Sequence, residues 1–297
     1  MLEEFDRADA TVAGVRVHYR RGGSGPPLVL LHGYPQTHVM WHKLAPALAQ
    51  DFTVVCPDLR GYGDSGKPPT DDAHAPYSFR AMAGDVVGLM GALGFDRFAI
   101  VGHDRGARVA HRLCADHGER ASRAAILDIA PTLAMYEATD MAFAIGYYHW
   151  FFLVQPADLP ERMIGADPDR WVTSKLGHWS KLGDRRRDDV FAPEAVAAYV
   201  KAFRDPATVH ATCEDYRAAA GIDLEHDRAD RAAGRHLAMP LLVLWGARGL
   251  VGRTYDMPGI WKAVAAQVSG RAIDCGHFLP EEAPEATLAA LRPFLRG

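Results

Sequence analysis

The chain has 297 residues, 48% hydrophobic and 24% charged, the balance of a soluble globular protein with one large core. A net charge of -4 leaves no basic stripe for nucleic acid and no polybasic segment for a membrane surface. The opening MLEEFDRADATVAG carries acids where a secretory leader needs a cationic end and an apolar run.

In chain order, the alternating VRVHYR predicts a strand, and GGSGPP a turn. LVLLHG is an unbroken apolar run ended by glycine, as expected of a strand buried on both faces. Helical spacing in WHKLAPALAQ leads to a second buried strand, FTVVCP. FRAMAGDVVGLMGALG predicts a helix capped at Gly94. Strand RFAIVG, helix ARVAHRLCADHG and strand AAILDI follow. From Pro131 to Arg235 the rhythm breaks into helical sequence rich in aromatics and alanine. It resumes with strand MPLLVLWG, helix IWKAVAAQ, strand GRAID and a last helix ending LRPFLRG.

This order predicts an α/β fold: a mostly parallel sheet flanked by helices, with an inserted helical cap. Residues 1–130 and 236–297 form the expected core domain and 131–235 the cap. The most apolar window, MAFAIGYYHWFFLV, is shorter than the ~18 apolar residues of a spanning helix. It reads as a buried or cleft-lining helix, so no membrane partner is expected. Four cysteines without a C-x-x-C pair suggest neither zinc nor disulfides, and fit a cytoplasmic protein.

One junction carries chemistry. Gly102-His103-Asp104-Arg105-Gly106 joins a strand directly to a helix and matches G-x-S-x-G with aspartate in the serine position. A carboxylate there attacks a carbon bearing a leaving group, leaving an ester for water to cleave. The bland alternative is a polar turn with Asp104 as helix cap. Position favours catalysis, because ligands of open α/β sheets bind at the carboxyl ends of strands. His277 alone of fourteen histidines sits between the final strand and the terminal helix, and is the expected general base. The strand LLVLWG offers no acid close behind it, so the orienting acid falls to Asp128 at the end of AAILDI. A buried structural aspartate bonded to backbone amides is the alternative for Asp128.

Together LLHGYPQT, PDLRGYGDS, VGHDRGARVAHRL, LDIAPT, YYHWFFL, HATCEDYRA, WGARGLVG and GHFLPEEAPE resemble the fluoroacetate (haloacetate) dehalogenases of the α/β-hydrolase superfamily. The resemblance covers nearly the whole chain. It implies Asp104 as nucleophile, His277 as base and Asp128 as its partner. It further implies Arg105 and Arg108 as carboxylate clamps, and His149, Trp150 and Tyr216 as the halide pocket. Backbone amides of Tyr34 and Arg105 would form the oxyanion hole. Tyr34 departs from the phenylalanine frequent there in the family, which implies a reshaped pocket entrance. A homodimer is also implied, and neither metal nor cofactor.

Elementary electrostatics agrees with the clamp. Arg105 and Arg108 share one face of the first helical turn, where cations oppose the helix dipole. Asp104 formally offsets one of them, and a small carboxylate substrate would offset the other. The alternatives are a surface ion pair for Arg105 and a solvated helix residue for Arg108. In PDLRGYGDSG, which lacks the G-K-[ST] of a phosphate loop, Asp58, Arg60 and Ser65 are expected to structure the loop. Glu281 and Glu282 read as first-turn helix acids.

The leading expectation is hydrolysis of fluoroacetate and other short 2-haloacids through an aspartyl ester. An epoxide hydrolase could use the same nucleophile with cap tyrosines, but has no use for the arginines. A non-catalytic binder of small acids is the reading outside enzymology.

Overall fold

The computed structural model describes residues 1–183 and 185–297. Eight strands form one sheet: β1 (Asp6–Val12), β2 (Val15–Gly22), β3 (Pro27–Leu31), β4 (Thr53–Pro57), β5 (Phe98–His103), β6 (Ala121–Leu127), β7 (Leu241–Gly246) and β8 (Val268–Ile273). Their order is β1-β2-β4-β3-β5-β6-β7-β8. β2 pairs antiparallel with β1 and with β4, and the strands from β4 to β8 run parallel. The central runs LVLL, VVC and AIVGH are wholly buried, which explains why they read as continuous apolar segments rather than alternating ones.

β1 is a strand that its sequence does not announce. DRADATV alternates between exposed and half-buried positions at the sheet edge, with no apolar run. The helix expected over IWKAVAAQ starts earlier and ends sooner, at Met257–Lys262. Asp256 caps it by accepting from the Gly259 amide, and Pro258 suits its first turn. Helix Phe79–Ala92 is followed by Gly94 at φ 83°, the left-handed residue that such an ending favours.

Between β6 and β7 every described regular element is helical, from Thr132 to Ala232. The apolar window does not form one buried helix. It splits into Met141–Gly146 and His149–Leu153, with Phe143 and Trp150 buried and Met141 and Ile145 turned outward. No described helix is long and apolar enough to cross a membrane.

Candidate active site

Three sheet ends converge. Asp104 follows β5 directly, at φ 48° and ψ -115°, ahead of helix Arg105–Asp116. Such a backbone is costly for a residue with a Cβ, and the flanking glycines make it possible. A Cβ on Gly102 would strike the backbone of Gly106 and Ala107; one on Gly106 would strike the carbonyls of Leu31 and His32. Asp128 follows β6, also at positive φ, 55°. His277 follows β8 and donates its amide to the Trp179 carbonyl at 3.1 Å.

His277 Nδ1 lies 2.6 Å from Asp128 Oδ2, and its Nε2 lies 3.9 Å from Asp104 Oδ2. Asp128 Oδ1 also accepts from the Gly246 amide at 2.8 Å. Asp128 thus contacts both the imidazole and a backbone amide, one through each carboxylate oxygen. Burial pulls the His277 pKa down, but the bond to Asp128 and the charges of Asp128 and Asp104 leave it above the ordinary histidine value. Burial would raise Asp104, yet His277, His103, Arg108 and Arg105 bring it down to about 2. His103 Nε2 bonds the His277 carbonyl at 2.8 Å, so the variable position of the elbow braces the His277 loop.

The Tyr34 amide donates to Asp104 Oδ1 at 2.9 Å. Arg105 is the first residue of its helix, so its N–H has no acceptor within that helix. These are the two backbone donors expected of an oxyanion hole. The Tyr34 hydroxyl accepts from Trp171 Nε1, which ties the residue after the HG pair to the helical insertion.

The arginines behave differently from each other, and the expected charge balance needs correction. Both are fully buried, neither solvated nor on the surface. Arg105 is already paired. Its Nε donates to Asp215 Oδ2 at 2.9 Å, and its Nη2 to the other Asp215 oxygen and to the Asp215 carbonyl. Arg108 instead meets Thr132 Oγ1 at 2.9 Å, the Ala130 carbonyl at 3.3 Å and Met135 Sδ at 3.2 Å, all neutral. Among the described residues no carboxylate lies within ion-pair distance of it. Burial, then the Arg105 charge, lower its pKa. Arg105 Nη1 and Arg108 Nε are buried donors with no partner among the described residues.

His149, Trp150 and Tyr216 do come together. The His149 and Tyr216 rings are 5.6 Å apart, those of Trp150 and Tyr216 6.5 Å. The Arg108 guanidinium sits 4.6 Å from the Trp150 ring centre, and Arg105 4.1 Å from that of Tyr216. His149 Nδ1 and Tyr216 Oη are buried without a partner among the described residues. Burial, then the nearby Lys175 cation, hold His149 neutral well below the ordinary histidine range.

Two contributors escape a reading of the sequence. Asp215 stands beside Tyr216 in EDYRA, but nothing in the spacing links it to Arg105, 110 residues earlier. Lys175 is buried among Tyr148 and Trp171, and burial pushes its pKa down to about 8. Glu281 and Glu282 do stand in the first turn of a short helix, Leu279–Glu282, and both are buried. Glu282 accepts from the amides of Lys181, Gly276 and Phe278, fixing the His277 loop. Glu281 is buried against Gln36 and Tyr199, and burial raises its pKa to about 8. Asp58, Arg60 and Ser65 structure their loop as expected: Asp58 takes the amides of His38 and Asp64, Arg60 grips Asp85, and Ser65 bonds the Asp58 carbonyl.

Residues 26–284 match the family model described as alpha/beta hydrolase fold. The fluoroacetate dehalogenase of Burkholderia sp is 46% identical over 99% of this chain and 95% of its own length. The soluble epoxide hydrolase of Corynebacterium sp. (strain C12) is 35% identical over 96% of this chain and 95% of its own. A crystal structure from Nostoc sp PCC 7120, described by fold as an alpha/beta hydrolase, superposes with a TM-score of 0.96 at 52% identity, covering 99% of both chains. With an aspartate at the elbow and these relatives along its whole length, the chain belongs to the α/β-hydrolase superfamily, in its haloacetate dehalogenase branch.

Proposed function

We propose that the protein hydrolyses fluoroacetate and other short 2-haloacids to the hydroxy acid and halide. The observation that carries this reading is Arg108: a buried cation beside the nucleophile whose protein partners are all neutral. A buried charge without an ion-pair partner is costly, and a substrate carboxylate supplies one. A neutral epoxide does not, which sets that alternative second.

The substrate carboxylate bridges Arg108 Nε and Arg105 Nη1, placing its α-carbon against Asp104. Asp104 attacks, the carbon–halogen bond breaks, and the halide leaves toward His149 Nδ1, Trp150 Nε1 and Tyr216 Oη. His277 then takes a proton from water, whose oxygen adds to the Asp104 carbonyl carbon. The Tyr34 and Arg105 amides hold the oxyanion, and collapse releases the hydroxy acid. Residues 131–235 act as the cap that closes over this chemistry, and no cofactor enters any step.

The test is a panel of fluoro-, chloro- and bromoacetate with fluoroacetamide as the neutral control. Halide release is expected from the acids and not from the amide. Arg108→Met should lower kcat/KM for the acids by roughly 2–3 kcal/mol, about 30- to 200-fold. Equal rates on acid and amide would remove the basis of the proposal.

The pH dependence follows from the two titrating partners. Asp104, at about 2, is ionised throughout the working range. His277 must be neutral to accept a proton, and its pKa lies above 6.5. The hydrolytic step is therefore expected to accelerate as pH rises through the His277 titration, which the Asp128 bond still raises after esterification has removed the Asp104 charge. A kcat profile flat from pH 6 to 8 in an enzyme limited by hydrolysis would contradict His277 as base.

Met141 and Ile145 on one helix, and Leu159 and Met163 on another, expose apolar side chains one turn apart. This supports a homodimer formed through the cap, and sedimentation at the mass of one chain would exclude it. Four buried, free cysteines suit a reducing compartment, and we place the enzyme in the cytoplasm.

A further inference from the structure

A haloacid uses two kinds of group in this site, but of the second it takes only a hydrogen bond and never the proton. Arg108, whose protein partners are all neutral, calls for a carboxylate. Tyr216 Oη, a proton donor, is buried with no partner among the described residues, although a departing halide needs a hydrogen bond and no proton. A substrate that exploits both is an acid whose leaving atom is an oxygen.

We propose that the enzyme also hydrolyses oxirane-2-carboxylate (glycidate) to 2,3-dihydroxypropanoate, with Tyr216 donating the proton to the opening ring. The inference rests on the haloacid reading of the same site. The glycidate carbon that bears the carboxylate occupies the position of the haloacetate α-carbon. Asp104 forms a C–O bond to it, and the ring C–O bond on that carbon breaks. The electron pair goes to the ring oxygen, which stays attached to the neighbouring CH₂ and takes the Tyr216 proton. Water then adds to the Asp104 ester, and one of its protons passes through His277 to the released α-oxygen. The other proton returns from the carboxyl group of Asp104 to the Tyr216 phenolate. One water is consumed, and no oxidant or reductant is needed.

The surroundings of Tyr216 suit proton donation at that moment. The Arg105 guanidinium lies 4.1 Å from its ring centre and stabilises the phenolate. Burial and then the Asp104 charge hold the phenol proton on before reaction. Esterification removes the Asp104 charge as the alkoxide forms, so the phenol becomes a stronger acid when the proton is wanted. Glycidate is only slightly larger than bromoacetate, as an enclosed site requires.

The experiment incubates wild-type protein with each glycidate enantiomer and follows dihydroxypropanoate by chromatography, with bromide release from bromoacetate measured in parallel. At least one enantiomer is expected to be converted. A single turnover in water carrying heavy oxygen should give unlabelled product, since the new oxygen comes from Asp104. Tyr216→Phe should lose about tenfold or more on glycidate beyond its loss on bromoacetate. Bromide release without dihydroxypropanoate from either enantiomer overturns this proposal and leaves the haloacid reading standing. Absence of both products overturns both. Equal losses by Tyr216→Phe on the two substrates overturn Tyr216 as the acid, and the labelling result stands even if that variant does not fold.

Discussion

Asp104→Asn is expected to bring halide release from every haloacetate down to background, a loss of roughly four orders of magnitude or more. Asparagine is the informative replacement because it tolerates the positive φ of 48° better than most residues. Its carbonyl oxygen can still accept from the Tyr34 amide. What disappears is the negative charge and with it the nucleophile. A fluoride electrode and a thermal melt on the same preparation separate loss of chemistry from loss of fold. Appreciable turnover by a variant confirmed by mass to carry asparagine would eliminate the ester mechanism.

His277→Asn should do something different: complete one displacement and stop. The first half-reaction needs Asp104 and the arginines but no base. One equivalent of halide is expected as a burst, followed by steady turnover about 10²- to 10⁴-fold slower than wild type. The amide nitrogen of asparagine can donate to Asp128 much as Nδ1 does, so the triad loses its base with little disturbance. Intact-protein mass should show the chain heavier by one carboxymethyl group, and peptide mapping should place it on Asp104. A burst with no adduct would mean that another group accepts protons from water.

Asp104, Asp128 and His277 were legible because they stand at strand ends, where local pattern is strongest. Asp104 lies between glycines that only a tight turn requires, and Asp128 closes an apolar run. The aromatic cluster beside them was not legible in that sense. His149, Trp150 and Tyr216 occur among many aromatics, and only family resemblance singled them out. Asp215 was invisible because a buried ion pair depends on the packing of distant helices, which short spacing does not encode. β1 was missed for the opposite reason: an edge strand half open to water carries no apolar signature.

The partner of Arg105 also has a mechanical consequence. Asp215 accepts from Tyr62 at 2.7 Å as well, and nearby Glu214 accepts from Thr70 and His74, Asp223 from the Phe79 amide, and Asp227 from Arg112. Helices Pro206–Ala220 and Ile222–Ala232 are thus riveted to the sheet domain along one edge. Because Asp215 is gripped by Tyr62 as well as by Arg105, the guanidinium cannot turn without breaking bonds on two separate elements, and it keeps one orientation.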